Sequence, residues 1–216
     1  AWKARPSNGV MFNADGVGVS CRVGTGETTC FIYTFIGAVI ITINVLLMLA
    51  VLIFSRERPS GTGNLGRVSG LDSYRFGAAF TMSILQGEYW RLLTAVFLHA
   101  DFMHLIFNSV ALIIIGPRIA MVYGPKRFLA LYLLCGVVGN AASIYVRAFA
   151  MGEPILLVGA SGSIFGLLGA GAIYGARVGG PRGDAIFKFM MIWILIGVGY
   201  SLVVRGDNFA HIGGAL

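Results

Sequence analysis

Residues 31–54 run for twenty-four positions without a charged side chain, and four more long apolar runs follow, at about 102–123, 128–146, 155–176 and 185–204. About 20 residues of helix cross the hydrocarbon core of a bilayer. No water is available there to pair backbone groups, so each run must satisfy its own N–H and C=O groups as a helix. The expected fold class is therefore all-α, a polytopic membrane helix bundle. A sixth apolar segment opens at Phe209 and reaches Leu216, about 12 Å of helix. Six spans are expected, with the sixth truncated here.

Composition excludes an ordinary soluble domain. The chain is 57% hydrophobic and 12% charged, about half the charged share of a soluble protein. The net charge of +7 points to membrane topology rather than to nucleic acid, because basic residues of membrane proteins flank the spans on the cytoplasmic side. Arg118, Lys126 and Arg127 lie between runs two and three, and Arg177, Arg182 and Lys188 lie around the joint of runs four and five. That places both loops, and the N-terminus, in the cytoplasm. The segment 55–101 disagrees, since five arginines fall on the outer side. Its start is Gly/Pro/Ser-rich and reads as a loop. Its later part is apolar and amphipathic, suited to the interface, with Tyr89 and Trp90 as anchors. The expected organisation is a cytoplasmic segment over 1–30, either disordered or a small domain, and a membrane domain over 31–216. The first run is longer than a signal core and is expected to be retained. Cys21 and Cys30 could pair or bind a metal, but no histidine lies near them.

Polar residues inside apolar runs are costly and usually mark function. All three histidines, His99, His104 and His211, lie at or within the runs. His104 and Asn108 are four apart, so they share a helix face. They could donate to a developing oxyanion, or could simply bond between helices. Ser161, in Gly159-Ala160-Ser161-Gly162, falls inside the run 155–176. Serine there serves close helix packing as readily as chemistry, and Gly162 and Gly166 form a small-xxx-small pair. A serine hydroxyl becomes a nucleophile when a base removes its proton. His211 could be that base if the fourth and sixth segments pack closely, for which Gly162, Gly166, Gly213 and Gly214 leave room. No aspartate in the runs is placed to orient His211, so the expected pair is a dyad rather than a triad.

These residues resemble the rhomboid family of intramembrane serine proteases. The resemblance runs from about Gly87 to the end of the chain. It rests on Glu88-Tyr89-Trp90-Arg91, on His99-x4-His104-x3-Asn108, on Gly116, Gly124, Arg127-Phe128 and Tyr132, on Gly159-Ala160-Ser161-Gly162, and on Ala210-His211-x-x-Gly214. It implies a six-helix bundle around a water-filled cavity open to the outer side. It implies Ser161 as nucleophile and His211 as base, with His104, Asn108 and the backbone N–H of Ser161 as oxyanion donors. Gly159 and Gly162 would keep the nucleophile's segment narrow, and Phe165 would pack on the imidazole of His211. His99 would support the outer loop, and Glu88, Trp90 and Arg91 would hold its shape. No cofactor and no metal are implied. The partners would be transmembrane protein substrates and the lipid bilayer, with oligomeric state left open. The location would be a bacterial inner membrane. Three features depart from the pattern, the first being that residues 1–30 match nothing in it. Ala120 stands where relatives often carry glutamate, and His211 is expected on a short, weakly anchored stub.

Other classes fit less well. The alternative within the family is a catalytically impaired member that binds membrane clients without cleavage, but inactive relatives lack the serine or the histidine. A metal enzyme built on the three histidines lacks a His-Glu-x-x-His helix and nearby carboxylates. A channel or transporter would show paired broken helices or a charged pathway. A soluble hydrolase elbow fails because Ser163 stands where Gly-x-Ser-x-Gly needs glycine.

Overall fold

The computed structural model describes residues 11–12, 19–20, 28–56, 66–204 and 206–216, with side chains from Phe35 onward. Most of the expected segment 1–30, including Cys21, and the loop start 57–65 lie outside the described residues. The first pieces are the antiparallel pair β1 (Met11–Phe12) and β2 (Val19–Ser20). Next comes α1 (Thr28–Phe54). Gly37, Ile40, Asn44, Met48 and Val51 are its buried positions among the described residues. Their three- and four-residue spacing makes one stripe, and that stripe packs on α5 (Phe102–Tyr123). Val39, Leu46, Leu49 and Ile53 are exposed, as an apolar face turned to lipid would be.

The segment between α1 and α5 is compact and irregular. It holds α2 (Gly70–Arg75), β3 (Ala79–Phe80), α3 (Thr81–Leu85), α4 (Arg91–Thr94) and a 3-10 turn at Ala95–Phe97. Two charged clamps hold it. The buried Asp72 carboxylate accepts from Ser55 Oγ at 2.6 Å and Ser69 Oγ at 3.0 Å, and pairs with Arg75 at 3.1 Å. This ties the end of α1 to α2. Arg91 pairs with Glu88 and donates to the carbonyl of Tyr74 at 2.7 Å. Its guanidinium also lies between the rings of Tyr74 and Trp90, 4.2 and 4.5 Å from their centroids.

Four helical stretches among the described residues are long and apolar enough to cross a membrane: Phe35–Phe54, Phe102–Tyr123, Pro125–Met151 and Gly180–Val204. The third is α6 (Pro125–Tyr145) continued by a π-helical turn, Val146–Met151. The fourth is α8 (Gly180–Val204). Gly124, at φ 81°, ends α5, and Pro125 opens α6. A left-handed glycine stops a helix and a proline starts the next without losing a bonded N–H.

The fourth expected span needs correction. Residues 155–176 were expected as one helix, but Leu156–Leu157 form strand β4, antiparallel to β3 with Phe80 opposite Leu156. The helix α7 begins only at Ser161 and runs to Val178. It is not among the four stretches long and apolar enough to cross a membrane, and it packs against α5, α6, α8 and α9 (Asn208–Ala215). Glycine sets those approaches. A Cβ on Gly139 of α6 would lie 2.5 Å from the Ala210 carbonyl of α9. A Cβ on Gly214 would run into the Gly162 carbonyl of α7. The eight-residue α9 is thus wedged backbone-to-backbone between α6 and α7, not weakly anchored. At the other end of α6, Phe128 and Tyr132 are fully buried in the core.

Gly139→Val should force α6 from α9 and cost about 1–3 kcal/mol by overpacking. Gly37→Val, where a Cβ meets nothing within 4 Å, should leave stability unchanged. Thermal unfolding of the detergent-solubilised chain compares the two.

Candidate active site

Ser161 owes its position to the break before it. Strand β4 delivers the chain to Gly159, which takes φ 133° and donates its N–H to the Ala95 carbonyl at 2.9 Å. Only glycine adopts such a backbone without strain. The same glycine lets His104 close in, since a Cβ there would sit 2.6 Å from Cε1 of the imidazole. Ser161 is therefore the first residue of α7 rather than a mid-helix residue, and no side chain among the described residues caps that helix. The first turn of a helix has N–H groups without intrahelical partners and carries positive dipole.

Ser161, His104, Asn108, Phe165 and His211 line one cavity of about 370 Å³. Asp101 stands at the same cavity and caps α5 by accepting from the backbone N–H of His104 at 2.8 Å. Asn108 follows one turn later, buried, with its Nδ2 lacking a hydrogen-bond partner among the described residues. His211 is buried on α9, and its Nδ1 also has none. Its ring stacks on Phe165 with centroids 4.2 Å apart and planes 4° apart. Phe165 is one turn after Ser161 on the same face of α7, so this stack holds the imidazole beside the first turn. Gly162 supports the same approach, because a Cβ there would lie 3.3 Å from the Ala210 carbonyl.

The remaining expected residues form the surrounding frame. His99 is buried edge-on to His104, with centroids 5.2 Å apart at 70°. Burial, with His104 adding to it, lowers its pKa to about 3, so it packs as a neutral ring. Glu88, Trp90 and Arg91 do not reach the cavity. They hold the segment that supplies β3 and the Ala95 carbonyl. One residue escaped the sequence reading. It is Asp207, whose Oδ1 accepts from the N–H groups of Phe209 and Ala210 at 2.9 and 3.0 Å. Its Oδ2 accepts from Ser143 Oγ at 2.7 Å and Arg147 Nε at 2.9 Å. An aspartate directly before an apolar helical segment is an N-cap signal, and that signal was available.

The Rhomboid domain family model matches residues 86–216, well over half of the chain. The chain belongs to the rhomboid family. It is 39% identical over 143 residues to Rhomboid protease GluP of Bacillus subtilis, covering 65% of this chain and 27% of that protein. It is 34% identical over 145 residues to RHOMBOID-like protein 5 of Arabidopsis thaliana, covering 66% of this chain and 46% of that one. It is 30% identical over 207 residues to Rhomboid protease AarA of Providencia stuartii, covering 84% and 70%. The chain thus spans about a quarter of the length of the first and less than half of the second. Membership makes this rhomboid an integral membrane protein of an intramembrane protease family. The matched region begins just ahead of Glu88 and contains every candidate site residue.

Gly159→Ala should cost about 1–3 kcal/mol in backbone strain and push the His104 ring from its seat. Denaturation in detergent reads the first effect, and a crystal structure of the variant reads the second.

Proposed function

We propose that this rhomboid is a serine endopeptidase that cuts transmembrane segments of membrane-protein substrates, with Ser161 as nucleophile and His211 as general base. The observation that carries the reading is the stack of His211 on Phe165, one turn from Ser161, in the wall of a shared cavity. The protein would act as follows. His211 takes the hydroxyl proton as Ser161 Oγ attacks the scissile carbonyl. The oxyanion is held by Asn108 Nδ2, by His104 and by the uncapped first turn of α7, beginning with the N–H of Ser161. His211 then gives the proton to the leaving amine, which departs and leaves an acyl-serine. A water, deprotonated by His211, releases the second fragment. The cavity supports the last step, since its volume would hold about a dozen waters at liquid density.

The substrate would enter between α5 and α8. That seam is closed at the cavity by the stacked rings of Phe107 and Tyr200, 3.9 Å apart, while α8 packs chiefly on α7. The basic residues near the α5–α6 and α7–α8 joints support a cytoplasmic placement of that end and of the N-terminal segment. The cavity would then open on the outer side. Residues 31–216 would form the membrane domain, and the bacterial relatives support an inner-membrane location.

A fluorophosphonate probe should label the detergent-solubilised chain, and labelling should vanish in Ser161→Ala and His211→Ala. Absence of labelling in the wild type would favour the client-binding alternative. Substrate choice gives a separate test. The approach to Ser161 runs past Gly159, Ala160 and Gly162, so a transmembrane reporter with alanine at the cleaved position should be cut about tenfold or more faster than one with phenylalanine. Equal rates would sink that preference.

A further inference from the structure

α9 is too short to hold a helical shape on its own, yet it carries His211. Its N-terminus is fixed by Asp207, whose two oxygens do different jobs. Oδ1 caps α9 itself. Oδ2 reaches outside the helix, to Ser143 of α6 and to Arg147 in the turn that follows α6. Arg147 uses its fork in two directions. Nε donates to Asp207 at 2.9 Å, and Nη1 donates to Glu153 at 3.2 Å. The backbone N–H of Glu153 returns to the Arg147 carbonyl at 2.9 Å. Glu153 opens the stretch that leads to Ser161. That stretch is held at Ile155 by Thr81, at β4 by β3, and at Gly159 by the Ala95 carbonyl.

We propose that Arg147 and Asp207 are positioning residues that set the separation of His211 from Ser161. One guanidinium joins the start of the helix bearing the base to the start of the segment bearing the nucleophile. Neither residue touches the reacting atoms in this role, although both border the cavity. The Asp207 half of the bridge is mostly sheltered, with Arg147 24% and Asp207 12% exposed at the side chain, whereas Glu153 is 60% exposed and its half is backed by the backbone bond to the Arg147 carbonyl. Water and salt therefore screen the Arg147–Asp207 pair less than they would a surface pair. The inference rests on the reading of Ser161 and His211 as nucleophile and base.

The test uses the full chain in detergent, with a small fluorophosphonate to read serine activation and a transmembrane reporter to read turnover. Each rate is normalised to the folded fraction. In Arg147→Met the labelling rate and kcat should fall together by about tenfold or more, the scale of a small misplacement of reacting groups. KM should stay within about twofold, because neither residue lies on α5 or α8, between which the substrate would enter. Arg147→Lys, which keeps a charge on Asp207, should recover most of the loss. Asp207→Ser keeps an oxygen to cap α9 but loses the link to Arg147, and should behave like Arg147→Met. Wild-type rates per folded molecule in both Arg147→Met and Asp207→Ser would overturn the inference while leaving the dyad intact. A wild type that fails to label, or labels equally in His211→Ala, would bring down the dyad reading and this inference with it.

Discussion

The backbone-to-backbone contact of α7 with α9 is the constraint on which the rest of the site depends. Gly214 meets Gly162 with no room for a side chain on α9, and Gly139 brings α6 against the same helix. In a bilayer the lipid tails are as apolar as the helix surfaces, so burial of apolar area drives helices together only weakly. Close approach of small residues supplies the packing instead. Here it does more than hold a bundle. It brings the face of α9 that carries His211 against the face of α7 that carries Ser161 and Phe165. A larger residue at Gly139 or Gly214 would meet backbone and displace α9, and with it His211.

A second chain of dependence reaches the serine from the opposite direction. Arg91 holds the carbonyl of Tyr74 and the irregular segment around it. That segment presents β3, β3 pairs with β4, and β4 aims the chain at Gly159. Gly159 then turns into α7 against the His104 ring. Residues far from the cavity thus decide where the first turn of α7 points. The site they build is poor in internal partners. Asn108 Nδ2 and His211 Nδ1 are buried without one among the described residues, and α7 starts without a side-chain cap. Groups left so in an ordinary core cost about 1–3 kcal/mol each. Both residues line the cavity, and on the proposed reading these groups are kept for chemistry rather than for packing.

Some of this could be read along the chain and some could not. The apolar runs of α1, α5, α6 and α8 are legible because lipid-facing helices must be apolar over a bilayer's length. The stretch before Ser161 is not. Ile155, Leu156, Leu157 and Val158 are equally apolar as strand or helix, and periodicity cannot separate the two in so short a run. The partner that decides it, Ala79–Phe80, lies far away in sequence. Asp207 illustrates a different failure. Its capping role is local and readable, whereas its bonds to Ser143 and Arg147 exist only because α6 and α9 lie side by side.

The sequence by itself determined that the chain is a membrane helix bundle, because backbone groups in lipid can be satisfied only within helices. It also determined which polar residues are candidates for chemistry, because so few interrupt the apolar runs. Only the tertiary structure decided that Ser161 opens a helix instead of lying within one. It alone decided that β3 pairs with β4 and that Arg147 bridges two distant segments. Those outcomes depend on contacts between residues far apart in the chain, and no local pattern encodes the distance between them.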